Sequence, residues 1–215
     1  MKKMLERFIG RVQERVRDLI VPLDRVAALV PSGGQVRELG CGEGLLLARI
    51  APRVGRLIGV DYDPRKCRLA RERLCRHQNT EVLEQEILEH LALAPVGTDR
   101  AVVISDTLSS FPPARQDEVL RRAVRLLEPG GVIVLKFMDT EPIWKTCISL
   151  ALSTVICRMR LSRSEGQRFW YRSRHEYAAI LRGLGLDVTE HLLHVGSNIA
   201  PHVALVARLP GGGQG

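Results

Sequence analysis

The sequence predicts an α/β fold, a mostly parallel sheet with helices on both faces. Short apolar strands alternate with amphipathic helices from residue 35 onward, the rhythm of a parallel sheet buried on both sides. A glycine-rich turn, Gly40-Cys41-Gly42-Glu43-Gly44, joins the first of those strands to the helix after it. The last two strands are separated by only a few residues, so they must be antiparallel neighbours, because a parallel pair needs a long crossover. A chain of 215 residues suits one domain with a sizeable core, and 45% apolar with 26% charged residues excludes disordered, collagen-like and disulfide-scaffold classes.

Residues 1–30 form an N-terminal helical cap. Met4, Leu5, Phe8, Ile9, Val12, Val16, Leu19 and Ile20 stand at helical spacing with charges between them. Glu6, Arg11, Glu14 and Arg15 interrupt any apolar stretch, so the segment is no signal peptide. A shorter helix, Leu23 to Val30, lies between Pro22 and the break at Pro31-Ser32-Gly33-Gly34.

Gln35 to Leu39 is the first strand, and Leu45 to Val54 the helix beyond the glycine turn. Arg56 to Val60 follows as a strand ending at Asp61-Tyr62-Asp63-Pro64, with Asp63 the natural N-cap of a helix from Arg65 to His77. Glu81 to Leu83 is a weaker strand and Ala101 to Ser105 a buried one. Gln116 to Leu127 reads as a helix, and Val132 to Phe137 as a strand opened by the turn Glu128-Pro129-Gly130-Gly131. From 139 to 174 the rhythm breaks, and both tryptophans fall in this stretch together with Phe169 and Tyr171. It reads as an inserted, partly helical substrate cap within a domain spanning 31–209. Helix His175 to Leu184 and strands Asp187 to Val195 and Val203 to Leu209 complete it, and the glycine-rich end, 210–215, is a flexible tail.

Net charge is +8, and only five of the 32 basic residues are lysines. The arginines are spread through every segment rather than gathered on one face, so the surplus bears on association and not on a nucleic-acid site. Five scattered cysteines make no C-x-x-C pair and no metal-ligand spacing, which fits reduced thiols in a cytoplasmic protein without a metal. The longest apolar run, Thr146 to Cys157, is too short to cross a bilayer, which needs about 20 residues. Peripheral membrane contact stays open, as does the oligomeric state.

The glycine turn carries the chemistry. Glycine there permits backbone conformations and a close approach to ligand that a side chain would block. Three further signals stand in order: Asp61 ending the second strand, where a carboxylate accepts ribose hydroxyls; Glu86 with Ile87 after the third; and Asp106-Thr107 at the end of the fourth. An acidic Glu43 in the turn would repel a pyrophosphate, and the third glycine falls one residue early for a nicotinamide fingerprint.

On these residues the chain resembles the class I S-adenosylmethionine-dependent methyltransferases from about Val36 to Leu209. The resemblance implies a seven-stranded sheet with an antiparallel last strand and a bound S-adenosylmethionine. It assigns Glu38, Gly40, Cys41, Gly42 and Gly44 to the first motif, and Asp61 with Tyr62 to the ribose. Glu86 with Ile87 falls to the adenine, and Asp106 with Thr107 to the cofactor edge of the fourth strand. Cys41 reads as packing between strand and helix rather than as a nucleophile.

Methyl transfer from a sulfonium relies on in-line proximity and excluded water, so no dedicated base is required. Asp106, Lys136, Asp139 and His202 are the candidate catalytic groups, although Lys136 also reads as a strand-end lysine with its head in solvent. Asp106-Thr107-Leu108-Ser109 lacks the Asn/Asp-Pro-Pro-aromatic signature of amino-methylating relatives. The expected acceptor is a small or lipid-like molecule, aromatic or acyl-bearing, held by Trp144, Phe169, Trp170 and Tyr171. Two alternatives stand beside it. One is an RNA ribose 2′-O-methyltransferase, in which Asp106, Lys136 and Glu190 fill three places of a Lys-Asp-Lys-Glu tetrad. The other is a non-catalytic cofactor-binding partner subunit.

Overall fold

A computed structural model of the chain describes residues 22–140, 169–193 and 202–211. The amphipathic segment 4–20, most of the insertion with Trp144, and the end of the glycine tail lie outside the described residues. The elements run α1 (Leu23–Leu29), β1 (Gln35–Leu39), α2 (Leu45–Ile50), β2 (Arg56–Asp61), α3 (Pro64–Leu74), β3 (Thr80–Glu84) and α4 (Ile87–Leu93). They continue with β4 (Asp99–Ser105), α5 (Pro113–Val124), β5 (Leu127–Met138), α6 (Arg174–Gly183), β6 (Asp187–Leu192) and β7 (His202–Arg208). The seven strands form one sheet in the order β3-β2-β1-β4-β5-β7-β6. Strands β1 to β5 pair in parallel, and β7 runs antiparallel to both β5 and β6. The expected α/β class and antiparallel last strand are both present.

The central strands are apolar throughout because each face of the sheet meets its own helix layer. In β4 and β5, Val102, Ile104, Ile133, Leu135 and Phe137 point to the layer of α4, α5 and α6. Ala101, Val103, Val132 and Val134 point to the layer of α1, α2 and α3. Helix α1 belongs to that second core through Val26 and Ala27, and Asp24 pairs with Arg49 of α2 at 2.7 Å. The described end of the expected cap is therefore built into the domain.

Element boundaries moved for identifiable reasons. The helix expected to reach Val54 stops at Ile50 and tightens into a 3-10 turn at Ala51–Arg53, which contains Pro52. Helix α3 begins at Pro64, capped by Asp63 as expected, and ends at Leu74, three residues early. Helix α5 begins at Pro113 rather than Gln116, with proline at its favoured first position, and Leu127 already belongs to β5. The Glu-Pro-Gly-Gly turn lies inside β5 as an irregularity, where pairing with β4 jumps from Asp99↔Leu127 to Ala101↔Val132. Helix α4 was not anticipated, being only seven residues long.

Candidate functional site

Strand order reverses between β1 and β4, and in open parallel sheets ligands bind in the crevice outside the carboxyl ends of the strands at such a point. Into this crevice open the turn after β1, Asp61 at the end of β2, the β3–α4 junction and Asp106-Thr107 after β4.

The glycines of the turn serve different needs. Gly40 has φ +80°, and a Cβ there would lie 2.2 Å from Thr107 Oγ1, so glycine lets the ends of β1 and β4 meet. A Cβ on Gly44 would lie 3.0 Å from the Ala70 Cβ, which makes that position one of helix–helix contact between α2 and α3. Gly42, at φ +54°, faces open space, with no atom of the described residues within 4 Å of such a Cβ. It is the glycine whose freedom faces the crevice. The Cys41 side chain turns inward against Gly59, and burial pushes its thiol well above the ordinary range, so it is packing and not a nucleophile.

Two carboxylates stand behind the turn. Asp61 Oδ2 accepts from Gly42 N at 2.9 Å and Oδ1 from Asp63 N at 2.9 Å, which locks the turn to β2. Glu38 is 3% exposed, and its Oε2 has no hydrogen-bond partner among the described residues. Burial, and then the nearby Asp61, raise the Glu38 carboxyl well above its usual range. Two buried acids with an unsatisfied oxygen suit a cationic ligand group and repel a pyrophosphate. Tyr62, next to Asp61, is 67% exposed and carries Lys66 over its ring at 6.0 Å. Glu86 is the N-cap of α4, its Oε2 accepting from Leu88 N and Glu89 N, while Oε1 pairs with Arg115 at 2.6 Å. Its side chain is thus already engaged in holding α4 and α5, and Ile87 is buried in the core.

The other half of the site lies at the ends of β4 and β5. Lys136 is fully buried and ion-paired with Asp106, which corrects the picture of a lysine with its head in solvent. Beside this pair is a cavity of about 240 Å³. Leu108, Phe137, Met138, Phe169, Tyr171 and Tyr177 give it apolar walls, and Asp106, Ser109, Arg172 and His202 line it too. Phe169 and Tyr171 stack with ring centroids 6.2 Å apart.

Trp170 does not line this cavity. Its main chain bonds Ser109 O and Gln116 Nε2, at 2.8 and 3.0 Å, and so pins the 169–173 strip to α5. Asp139 is buried and clamps the end of β5 to the start of α6, accepting from Arg174 N at 3.0 Å. It is a clamp and does not line the cavity. Glu190 lies on edge strand β6, beyond β7 from Lys136, with its carboxylate 3.7 Å from Arg174. A Lys-Asp-Lys-Glu tetrad is therefore not assembled among the described residues. Sequence reading missed Arg172 and Tyr177 as cavity walls. Arg172 is held in place by Asp117, and Tyr177 by its hydroxyl bond to Gln116 Oε1 at 2.9 Å. Neither carries a motif, so only the packing of α6 on α5 reveals them.

Residues 36–131 match the family model described as a methyltransferase domain. A carboxy-S-adenosyl-L-methionine synthase of Chromohalobacter salexigens is 36% identical over 110 residues, 48% of this chain and 39% of that protein. A ubiquinone biosynthesis O-methyltransferase of Xanthomonas axonopodis pv. citri is 28% identical over 123 residues, 57% of this chain and 51% of that one. The chain thus spans about half or less of the curated relatives it matches. In fold it is similar to a Burkholderia thailandensis 1,6-didemethyltoxoflavin-N1-methyltransferase solved with 1,6-didemethyltoxoflavin and S-adenosylhomocysteine. That likeness has a TM-score of 0.68 at 15% identity, covering 94% of this chain and 82% of the other.

Proposed function

We propose that this chain is a class I methyltransferase that transfers a methyl group from S-adenosylmethionine to a small, largely apolar molecule. The observation that carries it is the buried, unsatisfied Glu38 Oε2 beside Asp61, at the switch-point crevice and next to a separate apolar cavity. When bound, S-adenosylmethionine supplies an electrophilic methyl on a cationic sulfur. Glu38 and the open face of Gly42 suit its charged methionine portion. Asp61 keeps lone pairs beyond its two backbone bonds for ribose hydroxyls, and Tyr62 offers an exposed ring beside it. Glu86 and Ile87 border the adenine end, where the side chain of Glu86 supports the wall as a helix cap.

The 240 Å³ cavity receives the acceptor, and its size suits a molecule of one or two rings. Phe169 and Tyr171 grip it through ring contacts, on a strip that the Trp170 main chain anchors to Gln116. Among the described residues the cavity's arginine is already neutralised by Asp117, which favours a neutral acceptor over a polyanion such as RNA. One of the relatives is named as an O-methyltransferase and another as a synthase of a carboxylated S-adenosylmethionine, so a shared cofactor with differing chemistry supports the cofactor first and the reaction second.

Calorimetry with S-adenosylhomocysteine tests this function. The wild type should bind, and Asp61→Ala should lose affinity about 10- to 100-fold, because charge-assisted hydrogen bonds contribute about 1.5–3 kcal/mol each. A folded wild type with no affinity for S-adenosylhomocysteine would sink it.

A further inference from the structure

Asp106 is the single non-glycine residue with positive φ among the described residues, at +56°. Such a conformation is held against its own strain, and strain of this kind gathers at functional sites. Here the holding groups are visible. Asp106 N donates to Lys136 O at 2.9 Å, Ser109 Oγ donates to Asp106 O at 3.2 Å, and Asp106 Oδ2 pairs with the Lys136 ammonium. Lys136 itself has no solvent contact, whereas the Asp106 side chain is 45% exposed and lines the cavity. Oδ1 makes no protein hydrogen bond among the described residues. A buried cation thus holds one oxygen of a carboxylate that lines the cavity, and the other oxygen has no protein partner among the described residues.

This arrangement bears on which atom is methylated. An amine attacks through its lone pair and needs no base beforehand. A neutral hydroxyl does, because oxygen carrying both its proton and a new methyl is a strongly acidic cation, so the proton must leave as the bond forms. Among the described residues the charged Arg172 and Asp106 of the walls are already paired, Arg172 with Asp117 and Asp106 with Lys136.

Resting on the function proposed above, we infer that the acceptor is a neutral aromatic alcohol, that Asp106 Oδ1 takes its hydroxyl proton, and that Lys136 is the positioning residue for Asp106. The O–H bond breaks with its electron pair left on oxygen, and that oxygen bonds the methyl carbon. The methyl–sulfur bond breaks with its pair left on sulfur, giving a neutral thioether. Asp106 then returns the proton to water through its exposed side.

The probes are 2,3-dihydroxynaphthalene and its isostere 2,3-diaminonaphthalene. On protein loaded with S-adenosylhomocysteine, where no turnover occurs, the diol should bind at least about tenfold tighter than the diamine, and Asp106→Asn should erase that preference. With S-adenosylmethionine the product should carry its methyl on oxygen. Wild-type kcat should vary less than about threefold between pH 7 and 8.5, while Asp106→Asn should fall about 100-fold at pH 7 and then climb about tenfold per pH unit as the diol ionises by itself. Asparagine tolerates the left-handed conformation, so the turn persists. Should that variant fail to fold for want of a partner to Lys136, the double variant Asp106→Asn/Lys136→Met removes both charges and should give the same profile. Lys136→Met alone should lower kcat, leave KM for the cofactor unchanged and keep the flat pH profile.

Methylation on nitrogen or carbon, equal binding of diol and diamine, or a flat pH profile in Asp106→Asn would overturn the inference. So would a protein that binds S-adenosylhomocysteine yet neither binds nor methylates the diol, and in that case the methyltransferase function still stands. Failure to bind S-adenosylhomocysteine overturns the function itself.

Discussion

Replacing Gly42 by alanine separates a ligand role from a folding role, because at this position the protein offers the added methyl no obstacle. No heavy atom of the described residues lies within 4 Å of the Cβ position, so the expected cost is the backbone strain of a side chain at φ +54°, about 1–2 kcal/mol. For a chain of this size that corresponds to a melting shift of roughly 2–8 °C. The methyl would stand in the crevice that the turn shares with Asp61, whose Oδ2 is bonded to Gly42 N. Displacing or crowding a bound S-adenosylhomocysteine there should weaken it at least about tenfold, or 1.4 kcal/mol. Gly40→Ala is the contrast. Its Cβ would meet Thr107 Oγ1 at 2.2 Å, an overlap that forces β1 and β4 apart and adds about 1–3 kcal/mol to a similar conformational strain. Denaturant midpoints and calorimetry on both variants decide the matter. If Gly42→Ala folds with a small stability loss and binds S-adenosylhomocysteine as the wild type does, the crevice above Gly42 is not the cofactor site.

Three more outcomes can be measured. The raised Glu38 carboxyl favours the folded state at low pH, and that contribution is lost as pH rises through its elevated folded value; Glu38→Gln should therefore raise the melting temperature of the ligand-free protein at pH 7.5 while weakening S-adenosylhomocysteine, and a lowered melting temperature would contradict this. His90 is pulled down to about 4 by burial and by Arg37, whose Nη1 donates to Nε2 at 2.7 Å, while Nδ1 contacts Gln85 Oε1. Between pH 6.5 and 4 the unfolded chain takes up a proton that the folded one refuses, so denaturant-measured stability should fall by about 2 kcal/mol across that window and His90→Gln should flatten the fall. Tyr171→Ala should raise KM for 2,3-dihydroxynaphthalene about tenfold by removing a stacked cavity wall, with Trp170→Ala milder because its contacts to α5 are made by main-chain atoms; the reverse ranking would place the acceptor outside this cavity.

Much of the fold was legible because the signals are local. Strand β1 fell where expected, since a run of extended residues ending in a glycine turn is decided by neighbours along the chain. The Asp63 cap and Pro64 start of α3 are equally local. The crevice half of the candidate site belongs to the same class, because one turn and the ends of successive parallel strands must meet once the sheet forms in the order its crossovers allow.

The cavity half was beyond such reading. Lys136 is the expected strand-end residue by sequence, but whether its ammonium reaches water depends on Asp106, which is thirty positions away in the chain and held in a left-handed conformation that no local pattern announces. Glu86 was read as the acid that meets the adenine, yet its carboxylate caps α4 and pairs with Arg115, because a short helix with free N–H groups lies within closer reach. Trp170 and Tyr171 are adjacent and both aromatic, and composition alone treats them alike. Their division between anchor and cavity wall was decided by Gln116 and Ser109, which bond the main chain of Trp170, and by the stacking of Tyr171 on Phe169. The sequence by itself determined the sheet, the turn and the acids at the strand ends of the switch-point crevice, since each follows from neighbours or from crossover topology. Tertiary structure alone decided which charges are paired and which aromatic rings enclose the second cavity, because those pairings join residues that only the packing of α5, α6 and β5 brings together.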